Sequence, residues 1–286
     1  MAHLTMLSSM ADQNFQQALR LHVEWDIAWL DLRDAIYGKR LVHLTREEAE
    51  QAKEAIEAAS LPVHCFSTAI FLEDIDHGEA AMRTQLAQLD AILPLAQLLQ
   101  PKLIRVLAAG LGAREDGASS VETIADRYPW VIRLYREAVD RITDAGFIPT
   151  IENEAKGCFL RDPQEFHDFF DLLDRRQAAL TWDVQNHWAN GVFPSVDVYE
   201  TLKPLIRYVH AKGGRGGPSR QLEYNVALDE ADWPVLEIIQ KVVDDEISPV
   251  ICLNPPQHGR DLPGYDYASV PKRDLDFLRR AIRGLH

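Results

Sequence analysis

The sequence predicts an α/β fold, a single (β/α)8 TIM barrel that spans residues 1–286. Short apolar, β-branched runs alternate with longer amphipathic stretches along the chain, which is typical of βα units around a parallel sheet. There are eight such runs, the number that a closed barrel needs. The alternative is an open doubly wound sheet, but the G-x-G-x-x-G turn that often follows its first strand does not occur in this sequence.

The predicted elements follow from this alternation. We expect strands at residues 4–8, 21–26, 61–67, 103–108, 147–152, 179–184, 206–211 and 249–254. We expect helices at residues 45–59, 120–145, 162–173 and 232–243. Thr45 and Glu48 form a capping box at the start of the first of these helices. Pro129 marks a kink or a boundary in the second, and Pro234 lies in the first turn of the last.

The composition excludes several classes of protein. A formal net charge of −14 and a pI of about 5.1 disfavour a nucleic-acid partner or an anionic membrane surface. No stretch approaches the roughly 20 apolar residues of a membrane span, and the N-terminus does not resemble a signal peptide. The three cysteines are far apart, and their odd number argues against a secreted disulfide framework. We therefore expect a cytoplasmic protein with reduced thiols.

Polar residues lie within or just after the apolar runs, where a barrel places its functional site. Each one alone is explained by a satisfied rim residue or a helix cap, but the complete set is harder to dismiss. The set comprises Glu24, Asp26, His64, Arg105, Glu152, Asn153, Glu154, Asp183, Asn186, His187, His210, Lys212 and Asn254.

Three of these residues predict a metal site. Glu152, Asp183 and His210 end the consecutive fifth, sixth and seventh strands. Two carboxylates and one imidazole suit Mn²⁺, Mg²⁺, Co²⁺ or Zn²⁺. Cys158 falls several residues into a loop, so a cysteine-rich structural zinc site is disfavoured.

The segments TIENEAKG, LTWDVQNHWANG and YVHAKGG, in that order, resemble the xylose-isomerase-like barrel superfamily, with weaker support from LIRVLAAG. This superfamily includes sugar isomerases and 3-epimerases, inosose dehydratases and the endonuclease IV branch. The resemblance implies a sugar or polyol substrate, a divalent metal and a pairing into homo-oligomers.

The resemblance also implies residue roles. Glu152 is expected to bind metal and to act as acid and base, and Asp183 and His210 are expected to complete the ligand set. Lys212 belongs to a recurring H-x-K pattern and, like His187, could stabilise oxyanion charge. The residues expected to contact substrate are His64, Arg105, Asn153, Asn186 and Arg215.

One position departs from the family pattern. Epimerases of this type carry a second metal-binding glutamate on the eighth strand, where this chain has Asn254. Asparagine can ligate through its carbonyl oxygen, but it carries no charge and accepts no proton. We therefore expect weaker metal binding, and a two-glutamate epimerisation is in doubt. Glu154 or Glu24 could supply the missing carboxylate.

A glycine-rich loop follows the seventh strand at residues 213–225. Its glycines permit a mobile lid or a close approach to a ligand, and Arg215 and Arg220 could clamp a carboxylate or phosphate. The alternative is a solvent-exposed loop with solubilising charges.

Three functions remain open at the level of sequence. The leading one is a metal-dependent isomerase or epimerase that acts on a ketose or related polyhydroxy carbonyl compound through an enediolate. The second is an inosose-dehydratase-like lyase, in which His187 or His258 would protonate the leaving group. The third is a barrel that binds a sugar without turnover. An endonuclease is the weakest candidate, because its metal cluster needs more ligands than this chain offers.

Overall fold

The computed structural model describes residues 2–112, 118–154, 157–216, 222–254 and 269–282. Eight parallel strands form its sheet. They are β1 (His3–Met6), β2 (Leu30–Leu32), β3 (Val63–Ser67), β4 (Leu103–Leu107), β5 (Ile148–Glu152), β6 (Ala179–Asp183), β7 (Ile206–Ala211) and β8 (Val250–Leu253).

The sheet closes into a barrel. Each strand pairs in parallel with its neighbour from β2 to β8, and β8 pairs with β1 through His3 opposite Val250. A parallel bridge between Leu7 and Asp31 joins the first strand to the second. The Thr5 hydroxyl also donates a hydrogen bond of 2.7 Å to the Trp29 carbonyl across this seam. The prediction of a (β/α)8 barrel is confirmed.

Helices cover the outside of the sheet. They are α1 (Ser8–Ala11), α2 (Phe15–Glu24), α3 (Arg46–Ala58), α4 (Glu79–Leu86), α5 (Leu89–Leu99), α6 (Ser120–Arg127), α7 (Pro129–Asp144), α8 (Pro163–Leu173), α9 (Val184–Ala189), α10 (Val196–Leu202), α11 (Val235–Asp244) and α12 (Val270–Ile282). Short 3₁₀ turns occur at Leu41–His43, Ile75–His77 and Leu228–Glu230, and a two-stranded ribbon pairs Arg215–Gly216 with Leu222–Glu223. The helices bury one stripe each against strands that are themselves almost wholly buried, so the core lies on both sides of the sheet.

The predicted second strand was wrong. Residues 21–26 lie at the end of α2 and just beyond it, where Glu24 and Asp26 are exposed. The segment alternates like a strand, but Phe15, Ala18, Leu19 and His22 are buried at helical spacing. The true strand β2 has only three residues and gives too short a pattern to be recognised.

The helix predictions were closer. The capping box of Thr45 and Glu48 is present, with both of its hydrogen bonds. Residues 120–145 form two helices, because Pro129 cannot donate the hydrogen bond that continuity would need and instead starts α7. Pro234 precedes α11 and does not lie within its first turn.

Candidate metal centre and catalytic site

The carboxyl ends of β5, β6, β7 and β8 bring four of the predicted residues together. The Glu152 Oε1 atom lies 3.1 Å from His210 Nδ1, and Asp183 Oδ2 lies 3.8 Å from the same nitrogen. One ligand atom from each of these three residues falls within 4.8 Å of the others. Asn254 follows β8, and its Nδ2 lies 3.5 Å from Asp183 Oδ2 and 3.3 Å from His210 Nδ1. All four side chains are buried.

The strand register explains this convergence. Asp183 lies opposite His210 in the β6–β7 pairing, and His210 lies opposite Cys252 in the β7–β8 pairing. Residues at the ends of adjacent parallel strands meet at one edge of the barrel. The apolar residues around them hold the polar atoms away from water, where an unpaired charge would be costly.

Each carboxylate is paired with a buried cation. The Arg105 guanidinium donates to Glu152 through Nη1 and to the Thr68 carbonyl through Nη2 at 2.6 Å. Lys212 Nζ lies 2.6 Å from Asp183 Oδ2 and donates to Asn186 Oδ1 at 3.1 Å. The cluster is thus charge-balanced in two pairs.

The two carboxyl groups differ in their proton affinity. Burial alone would raise the pKa of Glu152, but Arg105 and His210 together hold it well below its usual range. Burial raises the pKa of Asp183 to about 6, although Lys212 opposes the rise, and the nearby Glu152 charge adds to it. Glu152 is therefore ionised at neutral pH, and Asp183 relies on its cation to stay ionised.

The family model for the xylose isomerase-like TIM barrel matches residues 26–282. The chain belongs to this family. A D-tagatose 3-epimerase-like protein has a similar fold, with a TM-score of 0.74 and 13% identity over 99% of this chain and 98% of the other. A xylose isomerase-like barrel protein from Mycobacterium smegmatis in complex with magnesium has a TM-score of 0.70 and 15% identity, covering 95% and 89% of the two chains.

A third similar structure is the probable 3-DHS dehydratase AsbF from Bacillus anthracis. Its TM-score is 0.70 and its identity 16%, over 98% of this chain and 99% of that one. Identities this low establish the shared fold and leave the reaction open. No curated protein matches the sequence significantly.

The residues of this family member fit a divalent metal ion. Glu152 and Asp183 offer carboxylate oxygens and His210 offers Nδ1. Asn254 presents its amide to the same point, and rotation of that amide by half a turn exchanges nitrogen for oxygen. Because Lys212 already contacts Asp183, an ion that binds there competes with the lysine for one carboxylate oxygen.

Asp31 is a site residue that the sequence analysis missed. It is fully buried on β2, accepts a hydrogen bond of 2.8 Å from the Tyr208 hydroxyl, and lies 3.9 Å from His210 Nε2. Its negative charge faces the rear nitrogen of the ring from beyond hydrogen-bond distance, and this nitrogen has no hydrogen-bond partner among the described residues. The sequence contains a signal for this residue, a single aspartate between Leu30 and Leu32. It was overlooked because the second strand was predicted at residues 21–26.

A second grouping of possible ligands shares His210. It comprises Asp31, His210 and Cys252. Burial raises the pKa of the Cys252 thiol well above its ordinary value, and the thiolate is the form that binds metals. The donor set of Glu152, Asp183 and His210 is therefore the better metal site.

The structure does not bring His187 into this cluster. Its Nδ1 accepts from the Trp182 indole at 3.2 Å, and its Nε2 lies 2.6 Å from the Arg161 carbonyl. Burial lowers the pKa of His187 to about 4, so the ring is neutral. Both ring nitrogens are occupied, and this leaves none for a substrate oxygen or a leaving group.

The predicted substrate contacts divide into two groups. Arg105 and Asn186 contact the cluster directly, and Asn186 also donates to Glu154 at 3.4 Å. Asn153 instead bonds the backbone of Asp183 on both sides, at 2.8 Å each, and so fixes the end of β6.

The remaining candidate residues make no direct contact with the cluster or lie outside the described ranges. His64 is buried between Trp29 and Tyr208, and burial lowers its pKa to about 4. Arg215 lies in the ribbon, half-exposed, 3.4 Å from Glu230. Glu24 is exposed on α2, and Arg220 and His258 lie outside the described residues.

All three cysteines are buried. Within the described ranges, no helix is both long enough and apolar enough to cross a bilayer.

Proposed function

We propose that this protein is a metal-dependent isomerase or epimerase that acts on a ketose or a related polyhydroxy carbonyl compound through an enediolate. The supporting observation is the buried convergence of Glu152, Asp183, His210 and Asn254 at the carboxyl ends of consecutive strands. Similar folds include a D-tagatose 3-epimerase-like protein, which makes this reaction class the natural one to test.

In the proposed mechanism, Glu152, Asp183, His210 and the Asn254 amide oxygen would hold a divalent ion, which could be Mn²⁺, Mg²⁺, Co²⁺ or Zn²⁺. A bound divalent ion would supply Lewis acidity toward adjacent carbonyl and hydroxyl oxygens. Asp31 places a buried negative charge 3.9 Å behind His210 Nε2, where it would help to offset the positive charge of a bound ion.

Glu152 is the proposed proton acceptor. The charges of Arg105 and His210 lower its pKa, which keeps Glu152 in the ionised form that can accept a proton but also makes it a weaker base. Arg105 orients the carboxylate by holding one oxygen, which leaves the other directed at His210 and the site. Protonation of Glu152 removes the negative charge that attracts Arg105, so the ion pair weakens during the proton transfer. The strength of this ion pair therefore affects how readily Glu152 accepts a proton.

Lys212 and Asn186 are the proposed oxyanion contacts. Lys212 is buried and positively charged, and the negative charge of Asp183 offsets the burial that would otherwise lower its pKa. Its ammonium group contacts both Asp183 and Asn186. From this position it could also stabilise negative charge that develops on a substrate oxygen. His187 has no part in this mechanism, because its contacts are structural.

A second candidate is dehydration of a keto-polyol. The observation that favours it is Asn254, which gives the site an amide where a second carboxylate base would be needed to reprotonate the opposite face. An elimination needs only one base for the carbon acid, and Lys212 could deliver the proton to the departing hydroxyl. We also expect a small-molecule substrate, no nucleic-acid or membrane partner, and a cytoplasmic protein that forms homo-oligomers; these remain predictions.

The experiment is solvent exchange. Metal-loaded protein is incubated in D₂O with fructose, tagatose, psicose and an inosose, and products are followed by NMR. The proposal predicts deuterium at the carbon beside the carbonyl together with an isomeric product. Loss of water from the substrate would support the dehydratase instead.

The paired variants are Glu152→Gln and Glu165→Gln. Glu165 is also buried, but its carboxylate accepts from the backbone N–H groups of Ser120, Arg161 and Asp162. Exchange should vanish in Glu152→Gln and persist per folded molecule in Glu165→Gln. Exchange at the wild-type rate in Glu152→Gln would refute the proposed role of this carboxylate.

A further inference from the structure

A cavity of about 200 Å³ opens beside the proposed metal centre. It runs along the carboxyl ends of β2 to β5, where Arg33, Thr68, Arg105 and Glu154 line it. Arg105 lines the cavity and also pairs with Glu152, so the cavity lies next to the proposed reaction site. Nothing in the mechanism above uses Arg33.

Arg33 is a largely buried cation with unused hydrogen-bonding capacity. Its Nε and Nη2 atoms are buried and form no hydrogen bond with any of the residues in the described ranges. Asp34 Oδ2 lies 3.3 Å from Nε and forms an ion pair with Arg33, but not in hydrogen-bonding geometry. A buried N–H without an acceptor is costly, so these two atoms indicate room for a ligand that supplies one.

Two other guanidinium groups reach the same cavity. Arg105 has an unpartnered buried Nε in addition to its contacts with Glu152 and Thr68. Arg40 stands at the rim, largely exposed, and no carboxylate of the described residues is within ion-pair distance of it. Three arginines around one small cavity are unexpected in a chain with a net charge of −14.

Acidic groups also lie at the cavity, but they leave some arginine donors without an acceptor. Asp34 pairs with Arg33 and Glu154 receives a hydrogen bond from Asn186, while Arg33 Nε and Nη2 and Arg105 Nε have no hydrogen-bond partner among the described residues. Arginine presents five N–H donors in a planar fork that matches carboxylate and phosphate oxygens. A neutral sugar hydroxyl matches that fork poorly, because it offers a single oxygen without charge.

We propose that Arg33, Arg40 and Arg105 bind an anionic group of the substrate, so that this protein acts on a polyhydroxylated acid or sugar phosphate and not on a neutral sugar. The inference rests on the proposed function for its reaction, but the binding step stands on the cavity alone. The anion would sit at Arg33, and the remaining carbons would extend past Arg105 toward Glu152.

Binding can be measured without turnover. Isothermal titration in the presence of EDTA compares D-gluconate with D-glucitol, which has the same carbon chain with a neutral alcohol in place of the carboxylate. D-Glucose 6-phosphate and inorganic phosphate test the phosphate alternative. We expect at least one of the organic anions to bind tenfold or more tightly than D-glucitol.

The variants are Arg33→Gln and Arg40→Gln, with Arg133→Gln as the control. Arg133 is an exposed arginine 3.6 Å from Glu79, far from the cavity in the fold. Anion affinity should fall tenfold or more in Arg33→Gln, fall less in Arg40→Gln, and stay at the wild-type value in Arg133→Gln. Arg40→Gln keeps the test valid if Arg33→Gln does not fold.

The outcomes separate this inference from the proposed function. Equal binding of D-gluconate, D-glucose 6-phosphate and D-glucitol, no binding of any at millimolar concentration, or unchanged anion affinity in both arginine variants would overturn the anion site. If anions bind through Arg33 but neither the neutral ketoses nor an anionic ketose such as D-fructose 6-phosphate exchanges deuterium, the anion site stands and the proposed reaction fails. If Arg33→Gln converts neutral ketoses at the wild-type rate, the proposed reaction stands and the restriction to anionic substrates fails.

Discussion

Replacing Lys212 with methionine removes one buried cation and leaves its carboxylate without a partner. Lys212 Nζ lies 2.6 Å from Asp183 Oδ2, and the Asp183 side chain is fully buried. Breaking a buried ion pair at one partner costs about 3–5 kcal/mol. For a chain of this length, the melting temperature falls by about 2 °C per kcal/mol, so we expect a loss of about 6–10 °C in EDTA at pH 7.5.

The charge of a metal ion should reverse much of this loss. In the wild type an incoming ion displaces Lys212 from Asp183, whereas in Lys212→Met that oxygen is already available. Added Mn²⁺ should therefore raise the melting temperature of the variant more than that of the wild type. The destabilisation should also shrink at pH 5, because burial raises the pKa of Asp183 to about 6 and protonation removes the uncompensated charge.

The control is Lys241→Met, the same substitution at an exposed ion pair. Lys241 Nζ lies 2.6 Å from Glu200 Oε1, at the same distance, but both side chains are more than a third exposed. An exposed pair contributes about 0–1 kcal/mol, so this variant should melt within about 2 °C of the wild type. Equal losses in the two variants, or no added Mn²⁺ stabilisation in Lys212→Met, would refute the reasoning.

Three further predictions concern the same chain. Asp31→Asn removes a buried negative charge 3.9 Å from His210 Nε2 and should weaken metal binding, whereas Tyr208→Phe keeps that charge and should weaken it less. Calorimetric titration with Mn²⁺ checks both variants, and a wild-type affinity in Asp31→Asn would contradict this role of Asp31. Asn254→Asp adds a negative charge to the ligand set and should tighten Mn²⁺ binding by about tenfold, so weaker binding in the same titration would count against this residue as a ligand. Burial raises the pKa of Asp274 to about 7, against about 3.9 when unfolded, so the folded chain should lose on the order of 4 kcal/mol as pH rises from about 4 to about 7. Between pH 5 and pH 8, urea unfolding should show about 2–3 kcal/mol of this loss in the wild type and not in Asp274→Asn.

The sequence predicted the barrel and three of its cluster residues for a definite physical reason. Glu152, Asp183 and His210 each end a long apolar run, and parallel register then places them at one edge of the sheet. Asn254 followed the eighth run in the same way. The prediction depended only on strand order, which survives errors of one or two residues at strand ends.

The residues that sequence reasoning misplaced share a different cause. Asp31 lies on a three-residue strand, and the alternation at the end of α2 drew the prediction to Glu24 and Asp26 instead. His187 stands in the short helix α9, whose direction turns the ring toward Trp182 and the Arg161 carbonyl. The side-chain direction in such a short helix depends on tertiary packing, which no local pattern encodes. Arg33 escaped notice because its burial arises from contacts distant in sequence.

The most direct test of the central claim is metal content. Elemental analysis compares the wild type with Glu152→Ala and Asp183→Ala at equal protein concentration, after loading with Mn²⁺ or Zn²⁺ and removal of free ions. The metal centre described here predicts nearly one ion per chain in the wild type and its loss in both variants. A wild type that retains no metal after loading, or variants that retain as much as the wild type, would contradict it.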